Sequence, residues 1–377
     1  MSTRFVEDIS IVLKLAEELT KANDGHKYPM RSSWIQKLVD TYKQYLSEST
    51  VNITNLPDNT SIEFERRAKV VLRKYIAGKT RGFPHYFLAR YIWGMRKRIL
   101  LETLRKIIPT KDLLELEKYI ASIKIWPGKI VKIRFPLKLE ENIAWARMMG
   151  FAFDMFIGDA VFTNTDEDLL KTFANAWHEI SGRISQINKP ASGVTRIYTS
   201  KFVKYTFGSV GFVQPDVPQI LAEPRFPPWV FRAPEKWRAE LLKCMFDAEG
   251  DVINRPCHKG VRLTQAKLLS WEKIVGTETA FGSLPPDVRE TMIAQGPPLS
   301  LISASLLLFQ LGIMSRLFPA LAKPNRYGTL CAWKLEVQGK ENVIRFVKKI
   351  RFFYSKRKNQ MLQRVYRWAN EVRYKKN

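Results

Sequence analysis

Apolar residues in the first 130 positions recur at three and four. "SIVLKLAEELTKA", "SSWIQKLVDTYKQYLS", "EFERRAKVVLRKYIAG", "YFLARYIWGMRKRILLETLRKII" and "TKDLLELEKYIASI" each carry a helical stripe. The pattern changes to a β-like stretch, "GKIVKIRFPLKL", and then to an apolar helix over "EENIAWARMMGFAFDMFIGDA". A connector with six prolines (214–235) reads as a boundary, and "APEKWRAELLKCMF" after it reads as a helix opened by Pro234 and stopped at Gly250. Near the C-terminus "LCAWKLEVQG" alternates like a strand and "KENVIRFVKKI" resumes a helical period. The expectation is an α+β chain: a basic, mostly helical domain over 1–135, then two further units over 136–231 and 232–377. The uncharged run at 299–314 is too short for a membrane span and predicts a buried helix.

Charge sharpens this picture. The 377 residues hold 62 Lys+Arg against 36 Asp+Glu, a net +26, while 45% of them are hydrophobic. Such a chain folds around a core and seeks a polyanion, and nucleic acid is the expected partner, with no membrane anchor. Between Arg66 and Lys106 stand 13 Lys/Arg against one acid, and from Lys340 onward 13 against two. Arg66, Arg67, Arg73, Lys74, Arg96, Lys97, Arg98, Lys356, Arg357 and Lys358 are therefore candidate phosphate contacts. The interleaved aromatics of the first cluster, Tyr75, Tyr86, Phe87, Tyr91 and Trp93 among them, are expected in the core. Apart from the neighbours Cys257 and His258, the three cysteines and four histidines lie far apart; they offer no zinc spacing and no disulfide framework, so any metal needs oxygen ligands. The opening "MSTRFVEDIS" has no signal-peptide pattern, which predicts a cytoplasmic protein.

One segment recurs. "AFDMFIGDA" (152–160) and "LKCMFDAEG" (242–250) share a central Met-Phe, a small residue at position seven, an acid at eight and a small residue at nine. Together with "LGI" (311–313), "WKLEVQGKENVIRFVKKI" and "FFYSKRKNQML", these residues resemble the LAGLIDADG family of homing endonucleases, intron maturases and their domesticated relatives. An alternative register sets "MMGFAFDMF" on the motif, with Met155 at the acidic position; the register ending in Asp159 is preferred because "IGDAVFTN" resembles the family's exit from that helix. The resemblance implies two αββαββα-like repeats joined as a pseudo-dimer in one monomeric chain. Gly158 and Ala248 would face each other where the motif helices pack. Asp159 and Glu249 would hold Mg2+ at the floor of a DNA groove and serve as catalytic acids.

The second copy has room for a DNA-reading hairpin in "DVINRPCHKGVRLTQ", so Arg255, His258, Lys259, Arg262 and Gln265 are candidate readers. Lys267, beside Gln265, is the candidate basic residue assisting the chemistry. In the first copy "VFTN" passes directly into "TDEDLL", leaving no room for a matching hairpin. The reading is a nucleic-acid-binding protein, duplex DNA favoured over RNA, acting as a Mg2+-dependent double-strand endonuclease. The alternative is a domesticated, non-cleaving DNA- or RNA-binding protein, a transcription regulator or maturase-like factor.

Overall fold

The computed structural model describes residues 3–23, 25, 28–45, 48–77, 82, 84–189, 193–213, 223–351 and 353–371. Part of the proline connector (214–222), Lys79, Arg81, Phe83, His26 and the terminal basic residues (372–377) lie outside them.

The N-terminal third opens with two helices, α1 (Thr3–Ala22) and α2 (Ser32–Gln44). It continues as β1 (Thr50–Val51), β2 (Thr60–Phe64), α3 (Ala68–Leu72), α4 (His85–Ile92), β3 (Ile99–Leu100), α5 (Leu101–Arg105), α6 (Thr110–Leu116), β4 (Ile120–Ile125), β5 (Ile130–Val131) and β6 (Leu137–Lys138). It is less helical than the periodicity predicts. Strands β3-β2-β4-β5 form an antiparallel sheet in that order, and three of the expected helices are divided by it. In "EFERRAKVVLRKYIAG" the first two residues close β2, whose alternating burial binds it to the isoleucine-rich β4. β-branched side chains packed on a sheet override a weak helical pattern. The long expected helix 86–108 stops at Ile92, ahead of Gly94, which adopts φ +82°.

Two units of like topology follow. The first is α7 (Ile143–Phe151), β7 (Met155–Phe156), β8 (Val161–Asn164), α8 (Glu167–Ser181), β9 (Gln186–Asn188), β10 (Thr195–Tyr198) and α9 (Lys201–Ser209). The second is α10 (Glu235–Glu249), β11 (Gly250–Arg255), β12 (His258–Ser270), β13 (Thr279–Ala280), α11 (Pro286–Gln295), α12 (Leu299–Gln310), β14 (Arg316–Asn325), β15 (Gly328–Gln338) and α13 (Lys340–Ile350), with α14 (Lys356–Glu371) appended. Their sheets run β7-β8-β10-β9 and β11-β12-β15-β14-β13, antiparallel throughout. Setting aside the inserted β13 and α11, each unit reads α-β-β-α-β-β-α with its four strands in the order first, second, fourth, third. The lengths differ: the first sheet's strands hold two to four residues, while β11, β12, β14 and β15 hold six to 13.

The units meet where α7 lies against α10. A Cβ on Gly150 would stand 2.4 Å from the Leu241 carbonyl oxygen and 2.6 Å from the Cys244 Cβ, so only glycine permits this approach. The contact corrects the preferred register. Helix α7 ends at Phe151, a 3-10 turn covers Ala152–Asp154, and Gly150 rather than Gly158 opposes α10. Gly158 sits in the turn between β7 and β8 with nothing within 4 Å of an added Cβ. The structure therefore follows the alternative register, with Met155 at the acid position.

The apolar run predicted as a buried helix is α12, ten of whose residues are buried. No single helix among the described residues is long and apolar enough to cross a membrane. Helices α1 and α2 cover this part of the second unit. Trp34 of α2 meets Trp333 of β15 edge-on at 5.4 Å, and its Nε1 donates to the Ile293 carbonyl at 3.1 Å. The start of "QAKLLSWEKIVG" completes β12, which bends away at Ser270, with Leu268 and Ser270 paired to β15.

Gly150→Ala is expected to lower stability by about 1–3 kcal/mol through overpacking, despite alanine's better helix propensity, whereas Gly158→Ala stays within about 0.5 kcal/mol. Urea denaturation of both variants checks this; parental stability in Gly150→Ala would contradict the close crossing.

Candidate functional site

Helix α10 ends in acids, where its own dipole is negative. Neighbouring chain supplies the compensation. Asp247, with 0% of its surface exposed, accepts backbone N–H bonds from Tyr354 at 2.9 Å and Ser355 at 3.2 Å. Burial pushes its carboxyl up to about 6, against the pull of those donors and of Lys358. The buried Lys358 ammonium donates to the carbonyls of Phe246 at 3.4 Å and of Asp247, the terminal acceptors of α10. Burial lowers its affinity for the proton and Asp247 offsets that loss. Ser355 donates to Asp166, which caps α8 by accepting from the Asp168 N–H at 3.0 Å, and the Lys356 ammonium stands 3.5 Å from Asp168. The start of α14 is thus pinned to both units at once.

Beside this anchor lie the acids that the α7–α10 crossing brings together, Asp154 and Glu249. Burial and, after it, the negative charge of Asp154 raise the Glu249 carboxyl to about 8 against the opposing pull of Lys358. Burial likewise raises Asp154 to about 6, opposed by Asn164, whose Nδ2 donates at 3.2 Å, and by Lys358. Asp159 takes no part. It lies exposed in the β7–β8 turn, its N–H bonded to the Phe156 carbonyl, so the expected Asp159–Glu249 pair is replaced by Asp154–Glu249.

The alternation of β12 decides the remaining sequence-predicted residues. Val261, Leu263, Gln265 and Lys267 point to the face covered by α11, α12 and α2; Arg262, Thr264 and Ala266 point to the open face. Gln265 accepts a hydrogen bond from Ser300 of α12. Lys267, 6% exposed, donates to the Gln295 carbonyl at 2.9 Å and to that of Pro297 at 3.4 Å, and lies 3.8 Å from Glu223. Burial lowers it to about 8, partly offset by Glu223. Both residues therefore hold the second unit together from beneath, away from the open face, and neither can serve a ligand there.

On the open side, Arg255 is exposed at the β11–β12 hairpin, whereas Lys259, in phase with Val261, falls on the other face, where it donates to the Pro256 carbonyl at 3.1 Å and lies 5.1 Å from the Trp368 ring centroid. Arg262 pairs with Asp251 at 3.0 Å, and His258 with Glu336 at 3.1 Å. The strand register adds Arg316, Phe318, Lys323 and Lys334 to this face. The polar alternation in "RLFPALAKPN" and "WKLEVQ" was the available signal for them. In the N-terminal cluster Arg67, Lys74 and Arg98 are paired with Glu65, Asp112 and Glu63 at 2.6, 3.8 and 2.6 Å. Arg66, Arg73, Arg96 and Lys97 are exposed and have no acid partner among the described residues, and the same holds for Arg357. Lys358 is the exception to its cluster, buried beneath the acids.

Two carboxylates meet the minimum for Mg2+, which commonly takes one or two from protein and completes its shell with water and phosphate. Asp154 and Glu249 are the two carboxyl groups the α7–α10 crossing offers for that role; no group of three or more acidic, His or Cys ligands occurs among the described residues. No family model matches the chain. It is similar to a malate dehydrogenase of Sulfolobus acidocaldarius, 22% identical over 166 residues, a match covering 37% of this chain and about half (53%) of that protein.

Asp247→Ala removes the acceptor of two backbone N–H groups and leaves Lys358 without its counter-ion, an expected loss of about 3–5 kcal/mol on chemical denaturation. Lys267 gives a pH signature. Its ammonium is disfavoured in the folded state, so between pH 8 and 10.5 the unfolded chain binds more protons and its contribution to stability rises with pH. Lys267→Met should lose a rise on the order of 1–3 kcal/mol over that window. Identical pH slopes in the two proteins would contradict its buried placement.

Proposed function

We propose that this chain is a nucleic-acid-binding protein built from two LAGLIDADG-type repeats, a single-chain pseudo-dimer whose open β11–β15 face takes duplex DNA in preference to RNA. The observation that carries the reading is the shared αββαββα order with strands first, second, fourth, third, centred on the glycine-tight contact of α7 with α10. The net charge of +26 and the basic, polar open face support it. The likeness to a malate dehydrogenase contributes nothing to the reading: dinucleotide-binding dehydrogenase folds are built on a parallel sheet, and every strand pair described in this chain is antiparallel.

Binding without cleavage is the form the geometry favours. The first copy has Met155 at the acid position, Lys267 lies under α12, and a fixed ammonium from Lys358 already offsets the acids. Mg2+-dependent endonuclease activity is a second reading, favoured by the approach of Asp154 to Glu249. These two residues would hold the ion, which when bound would stabilise charge on an attacking water and a leaving 3′ oxygen.

The test pairs affinity with cleavage. Arg255→Gln, Arg316→Gln and Lys334→Gln combined should shallow the slope of log K against log[salt] on duplex DNA by about 0.9 for each phosphate that is no longer neutralised. An unchanged slope would remove the open face from the proposal. Strand-resolved cleavage over a duplex library with Mg2+ or Mn2+ is expected to be absent. Its presence in the parent, abolished by Asp154→Asn and by Glu249→Gln with affinity retained, would establish the endonuclease reading instead.

A further inference from the structure

The N-terminal basic cluster departs from expectation in one respect that the duplex-binding face does not absorb. Of its interleaved aromatics, Tyr91 is buried in the core and Tyr75 partly so, but Tyr86 and Trp93 are 45% and 56% exposed. Tyr86, Arg90 and Trp93 stand at i, i+4 and i+7 along α4 and its C-cap, and so share one helix face. The Arg90 guanidinium lies 5.5 Å from the Tyr86 ring centroid and donates to its hydroxyl at 3.2 Å. Tyr86 packs edge-on against Phe87, over which Arg96 lies at 4.5 Å. Met95, in the turn after Trp93, is 62% exposed. From Arg66 to Leu101 the sequence contains no Asp or Glu. The surface therefore combines exposed aromatic rings, guanidinium planes held beside them, and the exposed cations Arg66, Arg73, Arg96 and Lys97, which have no acid partner among the described residues.

Those ingredients fit one kind of polyanion better than another. A duplex hides the faces of its bases and offers phosphate, for which exposed rings add nothing. An unpaired strand offers both base faces and phosphates, and aromatic platforms flanked by Arg bind it with little regard to sequence. Exposed Trp and Tyr gathered on one helix face mark a surface that a partner covers.

We propose that the Tyr86–Arg90–Trp93 face of α4, with Arg96, is a stacking platform for single-stranded nucleic acid, separate from the duplex-binding face of the β11–β15 sheet. The platform holds a few unpaired nucleotides through ring stacking at Tyr86 and Trp93 and through phosphate contact at Arg66, Arg73, Arg96 and Lys97.

The test uses the full chain, fluorescein-labelled oligo(dT) of about 12 nucleotides and a labelled duplex at the same ionic strength, read by anisotropy. Tyr86→Ala with Trp93→Ala should weaken oligo(dT) binding about tenfold or more, leave the salt slope unchanged because the charge is unaltered, and change duplex affinity less than twofold. Tyr86→Phe with Trp93→Phe should retain most of the affinity. The open-face variant with Arg255, Arg316 and Lys334 neutralised should keep its oligo(dT) affinity, so failure of the duplex reading leaves this result standing. Unchanged oligo(dT) affinity in the double alanine variant would overturn the platform. So would an equal weakening on duplex, or an effect confined to binding of vesicles containing anionic phospholipid.

Discussion

The approach of α7 to α10 at Gly150 is the constraint from which the rest of the molecule follows. Two helices from separate units can come this close only where one of them has no side chain, and the chain puts Gly150 against Leu241 and Cys244. Once they are locked there, the two exits are fixed. One helix leaves through a 3-10 turn at Asp154 and the other through Gly250 straight into β11, and the carboxylates of Asp154 and Glu249 arrive within electrostatic reach of each other. Acids so placed repel each other, sit in low dielectric and face the wrong end of a helix dipole. The arrangement requires a cation, and the C-terminal helix α14 provides one in Lys358.

That ammonium explains why α14 runs where it does. Asp247 receives the N–H groups of Tyr354 and Ser355, Asp166 receives the Ser355 hydroxyl, and the helix begins wedged between α8 and α10. A segment that reads as one more basic stretch is split by function. Lys356 and Arg357 face solvent, while Lys358 turns inward to complete the electrostatics of the crossing. The α4 face works in the opposite sense, with charge and rings both left outside.

Much of the second unit was legible in its residues. β15 and α13 lie where alternation and periodicity put them, because each has one strongly apolar face, and α12 lies where its uncharged run predicts a buried helix. The first unit was less so. Its motif helix is short, and "MMGFAFDMF", apolar but for Asp154, carries no phase with which to choose between Met155 and Asp159; the choice came from backbone contact with α10, which no local pattern encodes. Lys267 misled for a related reason. A lysine in a strand reads as solvated, yet its place on the covered face was set by a register two strands wide and by carbonyls of Gln295 and Pro297 beyond an insertion. In the N-terminal third, helical periods in "EFERRAKVVLRKYIAG" and "TKDLLELEKYIASI" yielded to sheet pairing between β2 and β4, a contact more than 50 residues apart in sequence.

The docking of Trp34 has a consequence for how the protein comes into being. Its indole hydrogen bond reaches Ile293, 259 residues further along the chain. During synthesis at roughly 5–20 residues per second, Trp34 emerges roughly 13–52 s before the Ile293 carbonyl that its indole will meet. Over that interval the Trp34 indole has neither the Ile293 carbonyl nor the Trp333 ring to bury against. Until the last third of the chain is made, the first two helices are a natural client for whatever in the cell shields nascent hydrophobic segments.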